Sequence, residues 1–155
     1  MRNKSTKRLL ILSCSARKTS DEQCAALDRY LSPAFYVVRR FLKNNPQNDV
    51  VIWIVSAKYG LIGANRLIEH YDQAMTPARA GELAGRIAEQ FEDLNRAHFL
   101  QRAPVSVFCH LPKTYADALA SQLNIFRKYS SVEAAQGRPG EKLQQLKNWL
   151  EKGEK

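Results

Sequence analysis

The chain has 155 residues, 24 Lys and Arg against 15 Asp and Glu, and a formal charge of +9 with an isoelectric point near 9.7. That length allows one domain whose core needs no staple, and 45% apolar residues exclude a disordered or fibrous chain. No apolar run approaches the ~18 residues of a membrane span. The four apolar residues that follow the basic start are too few for a secretory leader, so no membrane partner and a cytoplasmic location are expected.

In chain order, RLLILS over residues 8–13 reads as a short buried strand that empties into a polar loop, 14–20. Ser20-Asp-Glu-Gln23 has the form of a capping box and predicts a helix with Cys24, Leu27 and Leu31 on its stripe. Ser32-Pro33 marks a second helical start, and Ala34, Val37, Val38, Phe41 and Leu42 give it one apolar face. VVIWIV over 50–55 is apolar on both faces, the pattern of a central parallel strand. Residues 61–71 have no clear period. Thr76-Pro77 opens a long helix to about Arg96, with Ala80, Leu83, Ile87 and Phe91 inward. PVSVFC over 104–109 is a third strand, and Tyr115, Ala118, Leu119 and Leu123 mark another helix. Residues 125–132 are ambiguous and admit a fourth strand. Leu143, Leu146 and Leu150 give a last helix, with 151–155 expected to fray. The alternation predicts a single α/β domain with a mostly parallel central sheet flanked by helices.

The charge is uneven. Arg2, Lys4, Lys7, Arg8, Arg17 and Lys18 give residues 1–18 a charge of +6, residues 19–103 balance, and residues 104–155 add +3. The excess thus gathers around the first strand, with residues 1–7 as a basic arm. It suits a phosphate-bearing partner, DNA or a nucleotide, or else a solvated arm. Cys14, Cys24 and Cys109 match no zinc spacing, and no Walker loop, GxGxxG, GxSxG or HExxH occurs, so neither a metal nor a cofactor is called for.

Ligands of open α/β sheets sit beyond the carboxyl ends of the strands. Three such exits are legible: Ser13-Cys14-Ser15-Ala-Arg17-Lys18, Ser56-Ala-Lys58-Tyr59-Gly60, and Cys109-His110-Leu-Pro-Lys113. Each sets a hydroxyl or thiol beside a cation. Cys14, near Arg17 and Lys18, is the candidate nucleophile, or else a small residue at a crowded strand end. Lys58 is a candidate base, phosphate ligand or Schiff-base amine, or a surface lysine. Glu69 and Asp72, around His70 and Tyr71, are candidates for acid–base work or hydroxyl binding, or a solvated loop. Arg138 is a phosphate ligand or part of a turn. Cys24 and Cys109 read as core, and His110 as ligand or filler.

Cys14-Ser-Ala-Arg-Lys18, Tyr30-Leu-Ser-Pro-Ala-Phe35, Ser56-Ala-Lys-Tyr-Gly-Leu-Ile62, Ile68-Glu-His-Tyr-Asp72 and the segment 137–150 occur here in an order that resembles a small bacterial and phage family. That family is related to the YaaA peroxide-stress proteins and to DpdC of deazaguanine DNA modification, and the first motif is similar to one of archaeosine synthase. The resemblance implies a YaaA-like α/β fold. It also implies either DNA binding in stress or an enzyme acting on a nitrile-bearing 7-deazaguanine base in DNA or the related nucleoside. Carried over, it implies roles for Cys14, Ser15, Lys18, Ser56, Lys58, Tyr59, Glu69, Tyr71 and Asp72. Three readings follow. The first is a base-modifying enzyme with Cys14 as nucleophile, Lys58, Glu69 and Asp72 handling protons, and Ser13, Ser15, Arg17, Lys18, Ser56, Tyr59, Gly60, Tyr71 and Arg138 binding substrate. The second is a non-catalytic DNA binder. The third is an N-glycosidic enzyme led by Glu69 and Asp72.

Overall fold

The computed structural model of the protein describes residues 6–100 and 102–152. The first half holds β1 (Arg8–Ser13), β2 (Gln23–Ala25), α1 (Ala26–Arg29), α2 (Pro33–Asn44), β3 (Val50–Ser56), β4 (Gly60–Gly63) and β5 (Leu67–Glu69). The second half holds α3 (Pro77–Phe99), β6 (Ser106–His110), α4 (Lys113–Ala118), α5 (Ala120–Tyr129), β7 (Ser131–Ala134) and α6 (Pro139–Lys152). The main sheet has the order β4-β3-β1-β6-β7, with β4 antiparallel and the other strands parallel. β2 and β5 form a separate antiparallel pair.

β1 is aliphatic on both faces because helices cover both. Leu10 and Leu12, with Ile52, Ile54 and Phe108, pack against Phe35 and Val38 of α2 and Leu146 and Trp149 of α6. Leu9 and Ile11, with Trp53, Val55 and Val107, pack against Leu83, Ile87 and Phe91 of α3 and Phe126 of α5. From β1 the chain moves to β3 and β4 on one side, then crosses to β6 and β7 on the other. The order therefore reverses between β1 and β6, and that reversal opens a crevice at their carboxyl ends.

The expected α/β architecture is present. Thr76 caps α3, its Oγ1 accepting the Arg79 amide proton at 3.1 Å, and Pro77 occupies the first turn. Of the ambiguous segment 125–132, residues 125–129 finish α5 and only 131 and 132 enter a strand, β7, which pairs parallel with β6. Among the described residues no helix is long and apolar enough to cross a membrane.

Four expectations change. The Ser20 capping box opens no helix: Gln23–Ala25 pairs with Leu67–Glu69, and a long-range partner overrides the local cap. Cys24 is therefore a half-buried strand residue rather than a member of a helical stripe. The unpatterned segment 61–71 contains β4 and β5. Residues 151 and 152 continue α6, while 153–155 lie outside the described residues.

The basic start also divides. Arg2 and Lys4 lie outside the described residues. Arg8 is buried at the amino end of β1, where it makes a two-pronged ion pair with Asp49, stacks 4.5 Å from the Trp149 ring, and donates to the carbonyls of Trp149 and Leu150. Arg17 and Lys18 lie beyond the carboxyl end of the same strand. Lys7 and Arg8 are thus separated from them by the strand's length, about 20 Å at ~3.3 Å per residue.

Candidate functional site

Successive strand residues point to opposite faces. Leu10, Leu12 and Cys14 therefore share the α2–α6 face of the sheet, as do Ile52, Ile54 and Ser56 on β3 and Phe108 and His110 on β6. The register supports this: Leu12 pairs with both Ile54 and His110, and the Cys14 amide donates to the Val55 carbonyl at 2.9 Å. Cys14, Ser56 and His110 consequently leave the sheet at one edge and on one face.

Polar groups meet there in an otherwise apolar setting. The Cys14 sulfur lies 3.2 Å from the Tyr115 hydroxyl. The Tyr71 hydroxyl lies 2.9 Å from Ser56 Oγ and 2.7 Å from the Tyr30 hydroxyl. Ser56 Oγ already accepts the amide protons of Lys58 and Tyr59, so its own proton goes to Tyr71, and Tyr71 in turn donates to Tyr30. Tyr30 and Ser56 are fully buried, and Cys14 is 8% exposed. Cations stand on these rings: the Lys18 ammonium is 4.6 Å from the Tyr71 ring centre and Lys58 is 5.2 Å from that of Tyr59. Tyr59 meets Tyr71 edge-on at 5.5 Å, with Arg66 over its ring.

Burial, the main cause, pushes the Tyr30 phenol up to about 12, and it pushes Tyr71 and Tyr115 upward as well, with the nearby Cys14 acting in the same direction. All three phenols are therefore proton donors at neutral pH, not bases. Burial also raises Cys109 to about 12, which fits the core role expected of it.

The turn that carries Lys58 is gripped from the other face of the sheet. Arg79 donates to the carbonyls of Ala57 and Lys58, Arg86 to that of Lys58, and Gln90 to that of Tyr59. Gln90 Oε1 also accepts the Leu61 amide proton. Gly60 closes the turn at φ +82°, with the Gln90 side chain where a Cβ would stand. The loop after β1 is tied differently. Fully buried Arg29 donates to the carbonyls of Thr19, Asp21 and Ile68 and, among the described residues, pairs with no carboxylate.

Of the residues singled out from sequence, Cys14, Lys18, Ser56, Lys58, Tyr59 and Tyr71 come together. Ser15 spends its hydroxyl inside its own loop, on the Arg17 carbonyl and the Leu31 amide. Gly60 is buried against Gln90 and shapes the turn. Arg17, Glu69 and Asp72 are exposed, and so is Arg138, at the start of α6. Ser13 borders a cavity of about 160 Å³ beside Cys14, which His110 and Lys142 also line. The pattern of residues did not single out Tyr30, Tyr115 or Arg29 for the site. The signal available was that a buried Tyr needs a partner for its hydroxyl.

A family model described as a family of unknown function (DUF6884) matches residues 9–148. No curated protein and no solved structure matches the chain.

Proposed function

The chain belongs to that family of unknown function, and for it we propose a nucleobase-modifying enzyme that attacks a nitrile-bearing 7-deazaguanine-type base through Cys14. The observation that carries the reading is the convergence at one sheet edge of a buried thiol, a phenol 3.2 Å from it, and two lysines poised on tyrosine rings. The resemblance of the Cys14–Lys18 and Ser56–Ile62 segments supports the substrate class.

In this reading the thiol adds to the nitrile carbon, and water or an amine then displaces it. Tyr115, protonated, donates to the sulfur. Tyr71, Tyr59 and the cations on them offer a polar, aromatic wall for a planar base, and Lys18 and Lys58 face its acceptor atoms or a phosphate. A base presented in duplex DNA has to be flipped out of the stack to reach this edge. The exposure of Glu69 and Asp72 weighs against N-glycosidic cleavage led by them, and it equally leaves them out of the proton handling expected of them in the base-modifying reading. The separation of Lys7 and Arg8 from Arg17 and Lys18 favours that reading over a purely electrostatic DNA coat.

The test is conversion of 7-cyano-7-deazaguanine, in DNA and as the free nucleoside, followed by mass spectrometry. Cys14→Ala and Cys14→Ser are expected to lose at least ~100-fold in rate, as removal of a nucleophile does. Full activity in both variants would exclude Cys14 as the nucleophile.

A further inference from the structure

The cavity of about 160 Å³ lies at the reversal point between β1 and β6, and its lining includes Cys14, Ser32, His110, Pro112 and Lys142. Among the described residues its wall holds a thiol, an imidazole, an ammonium and the hydroxyls of Ser13 and Ser32, and no carboxylate. Among the described residues Lys142 makes no ion pair, and Ser32 caps no amide with its side chain. Burial, with Lys142 adding to it, lowers His110 below its ordinary 6.5, so the imidazole is neutral and able to accept a proton.

The register gives the spacing. His110 pairs with Leu12, two residues before Cys14 on the same face. Strands ~4.8 Å apart with a rise of ~3.3 Å per residue put the Cα atoms of Cys14 and His110 about 8 Å from each other. That gap leaves a place between the two side chains for a reacting group.

We propose that the reacting nitrile enters this cavity and that His110 and Lys142 are catalytic residues of the Cys14 site, His110 carrying the proton and Lys142 holding the nitrogen. This rests on the reading of Cys14 as a nucleophile toward nitriles. In the first step the S–C bond forms as one C≡N π bond opens. The thiol proton passes by way of His110 to the nitrogen, giving a thioimidate. Lys142 hydrogen-bonds to the nitrogen as negative charge builds there. In the second step water adds to the same carbon as the remaining C=N π bond opens, and His110 takes one water proton and passes it to the nitrogen, which becomes NH2. The C–S bond then breaks as the C=O bond forms, the hydroxyl proton passes by way of His110 to the departing thiolate, and a carboxamide leaves. No oxidant, reductant or metal enters the balance.

The experiment mixes the full chain with 7-cyano-7-deazaguanine and follows the Cys14 adduct by intact mass over time, with iodoacetamide alkylation of Cys14 as the parallel readout. His110→Gln and Lys142→Met are each expected to slow adduct formation roughly 100-fold, within the range for proton-transfer groups, while Cys14 alkylation persists. Lys142→Arg, which keeps the charge, is expected to recover part of the rate. Adduct formation at the parent rate in either the His110→Gln or the Lys142→Met chain overturns this assignment and leaves the Cys14 reading standing. Finding neither adduct nor carboxamide with the parent chain overturns both. If a variant also loses alkylation, the comparison moves to His110→Asn and Lys142→Gln, where an unchanged adduct rate for either refutes the proposal.

Discussion

Arg29 is the perturbation that most directly tests how the Cys14 loop is held. Its guanidinium is fully buried and bonds the carbonyls of Thr19, Asp21 and Ile68. Arg29→Met keeps the apolar stem and removes the donors. Each carbonyl left unpaired in the interior costs about 1–3 kcal/mol. The Ile68 carbonyl belongs to a residue only 2% exposed, so it bears the full cost, about 2 kcal/mol. Water reaches the carbonyls beside exposed Asp21 more readily, which holds their share to about 1 kcal/mol each. Against this, Met no longer buries a charge, which returns something on the order of 1–2 kcal/mol. The net is a loss of about 2–3 kcal/mol, measured by urea denaturation. The local effect is larger, because the Thr19 amide bonds the Arg29 carbonyl and the Leu31 amide bonds the Arg17 carbonyl across the same loop. Both amides are expected to exchange hydrogen at least ~10-fold faster relative to Leu10 in β1, since local opening needs less free energy than global unfolding. A stability change under ~0.5 kcal/mol with unchanged exchange at both amides would refute the reasoning.

Three further outcomes follow from the same kind of accounting. Arg8→Ala strands Asp49 and the last carbonyls of α6, and is expected to cost about 3–5 kcal/mol in chemical denaturation, whereas an effect below ~1 kcal/mol would make the cation dispensable. His98 accepts the Trp53 indole proton at Nδ1, 2.9 Å away, and burial, aided by Lys7, lowers its pKa below 6.5. The unfolded chain therefore binds more protons below that pH, so stability is full above 6.5 and falls as the pH drops through 6. His98→Gln should show a shallower fall over the same window, and equal slopes would contradict this. Gly60→Ala forces a side chain to φ +82° and into Gln90. A loss of about 1–2 kcal/mol is expected, together with slower alkylation of a reporter Cys placed at position 58, and a neutral result would mean that the turn relaxes freely.

The parts of the fold legible in sequence were those with a period. VVIWIV, the stripe from Ala80 to Phe91 and the Leu143–Leu150 face each announce their element, because burial imposes spacing. The convergence of three strand exits was legible too, since parallel strands share a carboxyl edge. What stayed hidden depends on distant partners. Gln23–Ala25 becomes a strand only through Leu67–Glu69, and Arg8 becomes structural only through Asp49 and residues more than 140 positions away. Tyr115 marked a helical face in the sequence, and nothing local shows that its hydroxyl reaches Cys14. Lys142 lies within the resembling segment 137–150, yet nothing local marks it for the site, and it meets His110 only because β7 returns the chain to the same edge before α6 begins.

The Arg8 contacts with Trp149 and Leu150 also tie the start of β1 to the last turn of α6. Arg8 thus clasps the amino edge of the sheet to α6, at the edge opposite Cys14. The exposed loop at Pro46 and Gln47 leads into β3 at that same amino edge, so attachment through it leaves the thiol edge clear.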